Sequence, residues 1–342
     1  MKGVGKRIFG LCAETFGLNK RIQGPLALIL RLHRVLPQKE HDKQRFQRTH
    51  AITEEGLDHL LTYLQRHYSL IQVDDYLNLE PSSQNRRERF ACLTFDDGGQ
   101  DNYLYAWPQL KSQKIPASIY LSAGHIRRDL PFWWLRLGDA FAEAQNNAEA
   151  QARLKQALES ITPNPSDFDS IDRFMDFIYT LSEEQRNNLT QILSPHLPGS
   201  HSVSLKLSEI QEMSASGLIR FGAQTASHLP LPLLDEAAAI ADIRSGFAAV
   251  SALEGVHFNR LFCYPNGAYD HRLMEQVESA GFQGALTGFA SYASRQERER
   301  FCLPRVNVSD SLAHDSPLLN FRLLAVAAQR AQLLNFARKN AA

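Results

Sequence analysis

The chain has 342 residues, with 37 Lys and Arg against 37 Asp and Glu, so its formal net charge is zero. That balance excludes the basic face of a typical nucleic-acid binder, and 44% hydrophobic with 22% charged residues excludes a disordered or collagen-like chain. No run approaches the ~18 consecutive apolar residues of a membrane-spanning helix, and the length suits one barrel-sized domain carrying an insertion.

The N-terminal MKGVGKRIFGLCAETFG begins basic, but Glu14 interrupts its apolar stretch. It therefore reads as mature protein rather than as a secretory signal. Leu26–Leu32 (LALILRL) reads as a buried strand ending at His33. Thr53 is placed to cap a helix on which Leu57, Leu60, Leu61 and Leu64 recur at helical spacing. The polar Pro81–Arg89 is expected to be a loop, after which Phe90–Phe95 (FACLTF) forms a strand delivering Asp96-Asp97-Gly98-Gly99 at its C-terminal end. Ile115–Leu121 is the next strand. Between 132 and 204, four helical segments follow one another, broken by Thr162-Pro-Asn-Pro and Pro195-His-Leu-Pro-Gly-Ser. Strand-like runs resume at Leu218–Ala223, Arg260–Tyr264 and Gly284–Thr287, with a helix over Asp235–Leu253 and another over Leu318–Lys339. The alternation predicts an α/β architecture with a mainly parallel sheet.

Cys12, Cys92, Cys263 and Cys302 are scattered, without a CxxC pair. Free thiols and a reducing, cytoplasmic location are the expectation. The basic N-terminus and the apolar C-terminal helix leave room for peripheral contact with the inner membrane, although packing on the barrel or at a subunit interface is the weightier reading of that helix.

Three stretches carry chemistry. In Thr94-Phe-Asp-Asp-Gly98, adjacent carboxylates close a buried strand. Such groups are costly there unless paired, hydrogen-bonded or bound to a cation, and strand C-termini are where α/β enzymes place their sites. Taken alone, the stretch reads equally as an Asx-stabilised turn. In Phe221-Gly-Ala-Gln-Thr-Ala-Ser-His228, Gln224 precedes His228 by four residues, and a neutral imidazole there could bind a metal, although a lone histidine in a loop is more often simply solvated. Phe262-Cys-Tyr-Pro-Asn-Gly267 is a strand running into a turn.

Together, and in this order, the three resemble the motifs of the polysaccharide deacetylase family (NodB homology domain, carbohydrate esterase family 4). The first is matched without change. The second, commonly Gly-x-His-Thr-x-x-His, stands here as Gly222-Ala-Gln-Thr-Ala-Ser-His228, and the third, Phe-x-Tyr-Pro-x-Gly, matches Phe262–Gly267. The resemblance implies a distorted (β/α) barrel, read as a single domain over 1–342 with an α-helical insertion at 132–204. It implies a divalent metal, commonly zinc, held by Asp97, His228 and, in place of a histidine, Gln224. Asp96 would be the general base, and Tyr264, Pro265 and Asn266 would flank the oxyanion. His33 is the favoured general acid and His314 its competitor. Arg305 is a possible substitute for the arginine that many members carry at the position of Cys263. Trp133 and Trp134 either anchor the insertion or stack on sugar rings.

The implied reaction is metal-dependent removal of an N-acetyl group from a sugar of a cell-surface polysaccharide or its lipid-linked precursor. Because an amide oxygen is a poorer zinc ligand than imidazole, the alternative is a catalytically impaired relative that binds glycan or supports its assembly.

Overall fold

The computed structural model describes residues 5–7, 10–11, 26–44, 46, 48–80, 88–126, 132–162, 168–197 and 203–340, with side chains to 330 in the last helix. Most of the N-terminal segment with Cys12, residues 81–87 of the expected loop, and the breakers at 163–165 and 198–200 lie outside the described residues.

Among the described residues, a nine-stranded sheet organises the molecule. Its path is formed by β1 (Leu26–Leu32), β5 (Phe90–Phe95), β6 (Ala117–Leu121), β7 (Ile219–Ala223), β8 (Phe258–Cys263) and β9 (Gly284–Leu286), all parallel, with β10 (Ala293–Ser294) antiparallel to the start of β1. β4 (Ser69–Leu70) pairs with β5 and β11 (Val306–Asn307) with β1. Leu303 bridges to Leu286 of β9, and Val306 pairs with Leu30 of β1. The segment 303–307 thus spans the gap between the two ends of the curled parallel sheet, giving the distorted barrel expected. A separate pair, β2 (Arg34–Leu36) and β3 (Ala51–Thr53), continues from the end of β1.

The two-residue period of the strands sorts their side chains. Leu28, Leu30 and Leu32 of β1 and Ala91, Leu93 and Phe95 of β5 join the large core under the helices. Ala27, Ile29, Phe90, Cys92, Tyr120, Leu261, Cys263 and Leu303 fill the interior. The inward row continues as Arg31 on β1 and Thr94 on β5, and the next inward residue after Thr94 is Asp96. Barrel closure and strand parity therefore deliver polar groups to one end of the interior.

Helix α1 (Glu54–His67) begins where expected: the Thr53 side chain accepts from the Gly56 N–H, and Leu57, Leu60, Leu61 and Leu64 are buried. β6 starts two residues later than the apolar run, because Pro116 has no N–H for the ladder. After α2 (Trp107–Gln113), the inserted segment between β6 and β7 carries, among the described residues, four helices: α3 (Trp133–Ala144), α4 (Ala148–Glu159), α5 (Ile171–Thr180) and α6 (Glu183–Leu193), ahead of a fifth helix that leads into β7. They bury a cluster of their own, including Trp134, Leu137, Phe141, Leu158, Phe174 and Ile178. Then follow α7 (Leu207–Ala215), α8 (Glu236–Ser251, capped by Asp235), α9 (His271–Ser279) and α10 (Ser316–Asn340). α10 lays Leu319, Leu323 and Val326 into the main core at helical spacing. Among the described residues no helix is long and apolar enough to cross a membrane.

Candidate active site

Arg31, His33, His50, Asp96, Asp97, Trp134, Gln224, His228, Asn266 and Gly267 line one cavity of about 250 Å³ at the C-terminal ends of β1, β5, β7 and β8. The chain bends sharply after β5, β7 and β8, which re-aims the residues that follow. Asp97, Thr225, His228 and Asn266 all adopt positive φ, from 52° to 72°. Four such non-glycine residues around one cavity mark backbone held in a costly conformation by its surroundings. At the first turn, Gly98 (φ 75°) packs so closely that a Cβ would stand 2.5 Å from the Leu121 side chain, so only glycine lets Asp96 and Asp97 diverge there. At the second, Asp242 accepts from the N–H groups of Ala226 and Ser227 and from the Ser227 hydroxyl, while Thr225 Oγ1 accepts from the His228 N–H.

Asp96 is 3% exposed and Arg305 1%. The guanidinium grips both carboxylate oxygens, at 2.6 and 2.8 Å, and also donates to Thr94 Oγ1, the Thr287 carbonyl and Cys263 Sγ. Arg305 thus reaches Asp96 from the segment that closes the barrel, and the small Cys263 leaves it room. Burial alone would raise the Asp96 pKa, but Arg305, with help from His33, holds it below the usual carboxylate value. His33 Nε2 lies 3.8 Å from Asp96 Oδ2. Its buried Nδ1 has no hydrogen-bond partner among the described residues, and its ring meets His50 edge-on at 4.7 Å. Burial pushes the His33 imidazole down to about 3, against the pull of Asp96 and Asp97, so the ring is neutral at pH 7.

His228 Nε2 has two neighbours, Asp97 Oδ1 at 3.2 Å and Gln224 Nε2 at 3.1 Å. The Gln224 oxygen accepts from the Asp97 backbone N–H, so its amide hydrogens face the imidazole and ask for a lone pair on Nε2. The Asp97 carboxylate asks the same atom for a proton. A cation beside Nε2 and Oδ1 resolves that conflict, and 3.2 Å suits neighbouring ligands on an ion with bonds of about 2.1 Å. The donor chemistry therefore fits a divalent metal, with two protein ligands ready. Gln224 supplies a third only if its amide reverses and gives up the Asp97 N–H. Among the described residues, no third His, Cys, Asp or Glu completes a cluster here. Burial opposes ionisation of Asp97, yet the nearby His228 holds its pKa well below the usual range.

The remaining expected residues divide. Trp134 is buried and stacks flat on His228, with ring centroids 3.7 Å apart. Trp133 is buried away from the cavity, donating to the Ser227 carbonyl. Tyr264 and Pro265 are buried behind the lining, and only Asn266 of the three lines it. The Tyr264 N–H is spent on the Leu286 carbonyl and Pro265 has none, which leaves the Asn266 N–H as the candidate oxyanion donor. His314 is not brought to the cavity: it meets His59 and Thr53 near the start of α1.

Residues 83–285, more than half of the chain, match the family described as polysaccharide deacetylase. The chain belongs to the polysaccharide deacetylase family. It is accordingly a hydrolase acting on carbon–nitrogen bonds in polysaccharides. No curated protein sequence matches it. Among solved structures, it is similar to the de-N-acetylase from Aggregatibacter actinomycetemcomitans, with TM-score 0.56 and 15% identity over 86% of this chain and 99% of that one. It is also similar to IcaB from Ammonifex degensii, with TM-score 0.55 and 20% identity over 87% and 98% of the two chains. The Streptococcus pyogenes deacetylase PplD, solved with acetate, has TM-score 0.54 and 14% identity over 86% and 98%. These likenesses establish the fold of this deacetylase.

Two lining residues of the deacetylase cavity carry little sequence signal. His50 sits in a short helical turn, Arg48–His50, with no motif around it. Arg31 is legible only through strand parity: in LALILRL it shares the inward row with Ala27 and Ile29. Burial and the nearby Arg305 both lower its pKa, and its Nε is buried without a partner among the described residues.

Proposed function

We propose that this deacetylase removes the acetyl group from an N-acetylated sugar of a cell-surface polysaccharide or its lipid-linked precursor, with a divalent metal held by Asp97 and His228 and Gln224 as a weak third ligand. The observation that carries this reading is the convergence of Asp96, Asp97, His33 and His228 on one cavity. The chain reads as one domain, in which the helices inserted at 132–204 supply Trp134 to the cavity wall.

A divalent ion bound there would supply a Lewis acid for the acetamide carbonyl and for water. Asp96, kept ionised and oriented by Arg305, accepts the proton of the attacking water. The Asn266 N–H faces the developing oxyanion. His33 enters the cycle neutral, so it can protonate the departing amine only after receiving a proton within the cavity; its place 3.8 Å from Asp96 makes that carboxyl the nearest source. The flat stack of Trp134 fixes the imidazole plane of His228.

A second reading, a glycan-binding relative with an impaired centre, draws on one observation: the Gln224 oxygen is committed to the Asp97 N–H. Acetate release from N-acetylated chitooligosaccharides, measured with zinc, cobalt, nickel or manganese added, separates the two. Turnover that Asp96→Asn abolishes and His33→Ala reduces supports the enzyme. Absence of bound metal and of turnover, with activity emerging only in Gln224→His, overturns it in favour of the binding protein.

A further inference from the structure

Away from the cavity, Glu55, His59 and His314 each place one ligand atom within 4.8 Å of the others, on an exposed face. Glu55 and His59 stand one turn apart on α1. His314 reaches them from the end of the short helix Asp310–Ala313. The two imidazoles face each other Nδ1 to Nδ1 at 3.1 Å, with their rings nearly perpendicular.

The state of His314 follows from its other nitrogen. Thr53 Oγ1 gives its single hydrogen to Asp310 Oδ1 at 2.7 Å. It can therefore face His314 Nε2, 3.1 Å away, only as an acceptor. Nε2 must then carry a proton, and Asp310 Oδ1 lies 3.5 Å from the same atom. In the neutral ring Nδ1 is bare, and its lone pair points at His59. A hydroxyl and a carboxylate behind the distal nitrogen are the support typical of a metal-bound histidine. Asp310 is itself fixed by the Thr53 N–H. Gly56 makes this approach possible, since a Cβ there would stand 2.6 Å from Asp310 Oδ1 and 3.2 Å from His314 Nε2.

We infer that Glu55, His59 and His314 form a second metal site, selective for a borderline divalent transition ion such as zinc, cobalt or nickel, with water completing its coordination. Two nitrogens 3.1 Å apart suit adjacent ligands on an ion with bonds of about 2.1 Å, and a set of two imidazoles and one carboxylate favours these ions over magnesium or calcium. Because the ligands lie more than 250 positions apart, the ion clasps the start of α1 to the segment entering α10. Its effect is on the folded state rather than on the reaction.

The test uses the full chain with the cavity donors removed (Asp97→Asn with His228→Gln), so that only the surface site is counted. Zinc and cobalt are titrated by calorimetry and by cobalt absorption. The expected result is one saturable equivalent, with affinity falling by roughly tenfold or more in Glu55→Gln and His59→Ala. Zinc at about 100 times its Kd should raise Tm by about 4 °C, and not in His59→Ala. Both substitutions are on the exposed face of α1, so folding is preserved, and in the otherwise unaltered chain His59→Ala should leave acetate release unchanged. Absence of saturable binding, or binding indifferent to both substitutions, overturns the site and leaves a histidine–histidine hydrogen bond.

Discussion

Replacing Arg305 by methionine tests the electrostatics of the cavity most directly. The guanidinium makes five contacts, two of them to Asp96, and both residues are almost wholly buried. Breaking a buried pair from one side costs about 3–5 kcal/mol, because the other charge is left uncompensated. With 342 residues and ~2.1 cal/mol/K of unfolding entropy per residue, the chain changes by about 0.7 kcal/mol per degree, so Tm should fall by roughly 4–7 °C at pH 7. The pH dependence gives the effect a signature. In the parent protein the Asp96 pKa is depressed, so its contribution is present above the unfolded value and is lost as pH falls through the folded one. Without Arg305, and with His33 neutral over this range, burial is opposed chiefly by Arg31 and the folded pKa rises. The variant then gains relative stability as pH falls, and the gap in Tm should narrow between pH 7 and pH 4. Differential scanning calorimetry at the two pH values measures this, with Asp96→Asn/Arg305→Met recovering much of the loss. An equal deficit at both pH values, with no recovery in the double variant, would refute the reasoning.

Three further outcomes are expected. Gln224→His presents a second imidazole beside His228 and should tighten zinc binding by roughly tenfold or more, the scale seen when even a supporting group is changed; dialysis with metal analysis would detect an unchanged affinity, which contradicts the ligand assignment. His33 should remain neutral until about pH 3, so the unfolded chain binds the extra proton first and stability should decline as pH falls from about 6.5 toward 3; a ring NMR titration with a midpoint near 6 would contradict this. Cys263→Arg alone sets a second buried cation against Arg305 and should lower Tm, whereas in the Arg305→Met background it should restore part of the lost stability by re-pairing Asp96; loss in both backgrounds would count against interchangeable arginines.

The strands were legible where apolar runs are continuous, as in Phe90–Phe95, because burial on both faces leaves a hydrophobic run that ends abruptly at Asp96. The same holds for α1, whose leucines and Thr53 cap state its face and its start. What the one-dimensional pattern lacks is closure. Arg305 could be suspected from Leu303-Pro-Arg-Val, but its grip on Asp96 depends on the segment 303–307 lying between β9 and β1. His314, weighed as a proton donor from its place near the C-terminus, meets His59 instead because the short helix before it packs on α1. Arg31 needs both strand parity and the closed interior before its direction means anything.

The partner of Asp96 is encoded 209 positions after it. During synthesis the strand bearing Asp96 is complete long before Arg305 emerges, so the nascent chain carries an unpaired acid through most of its length. The interior of the barrel cannot set until its final staves arrive. The same arrangement governs where the gene can be cut. A fragment trimmed to the family-matching residues 83–285 would discard both His33 and Arg305, keeping the motif that names the family while losing the groups that hold its carboxylate in place. Expression boundaries for this enzyme should therefore start before Leu26 and run past Asn307, and split or permuted forms should keep β1 and the closing segment together.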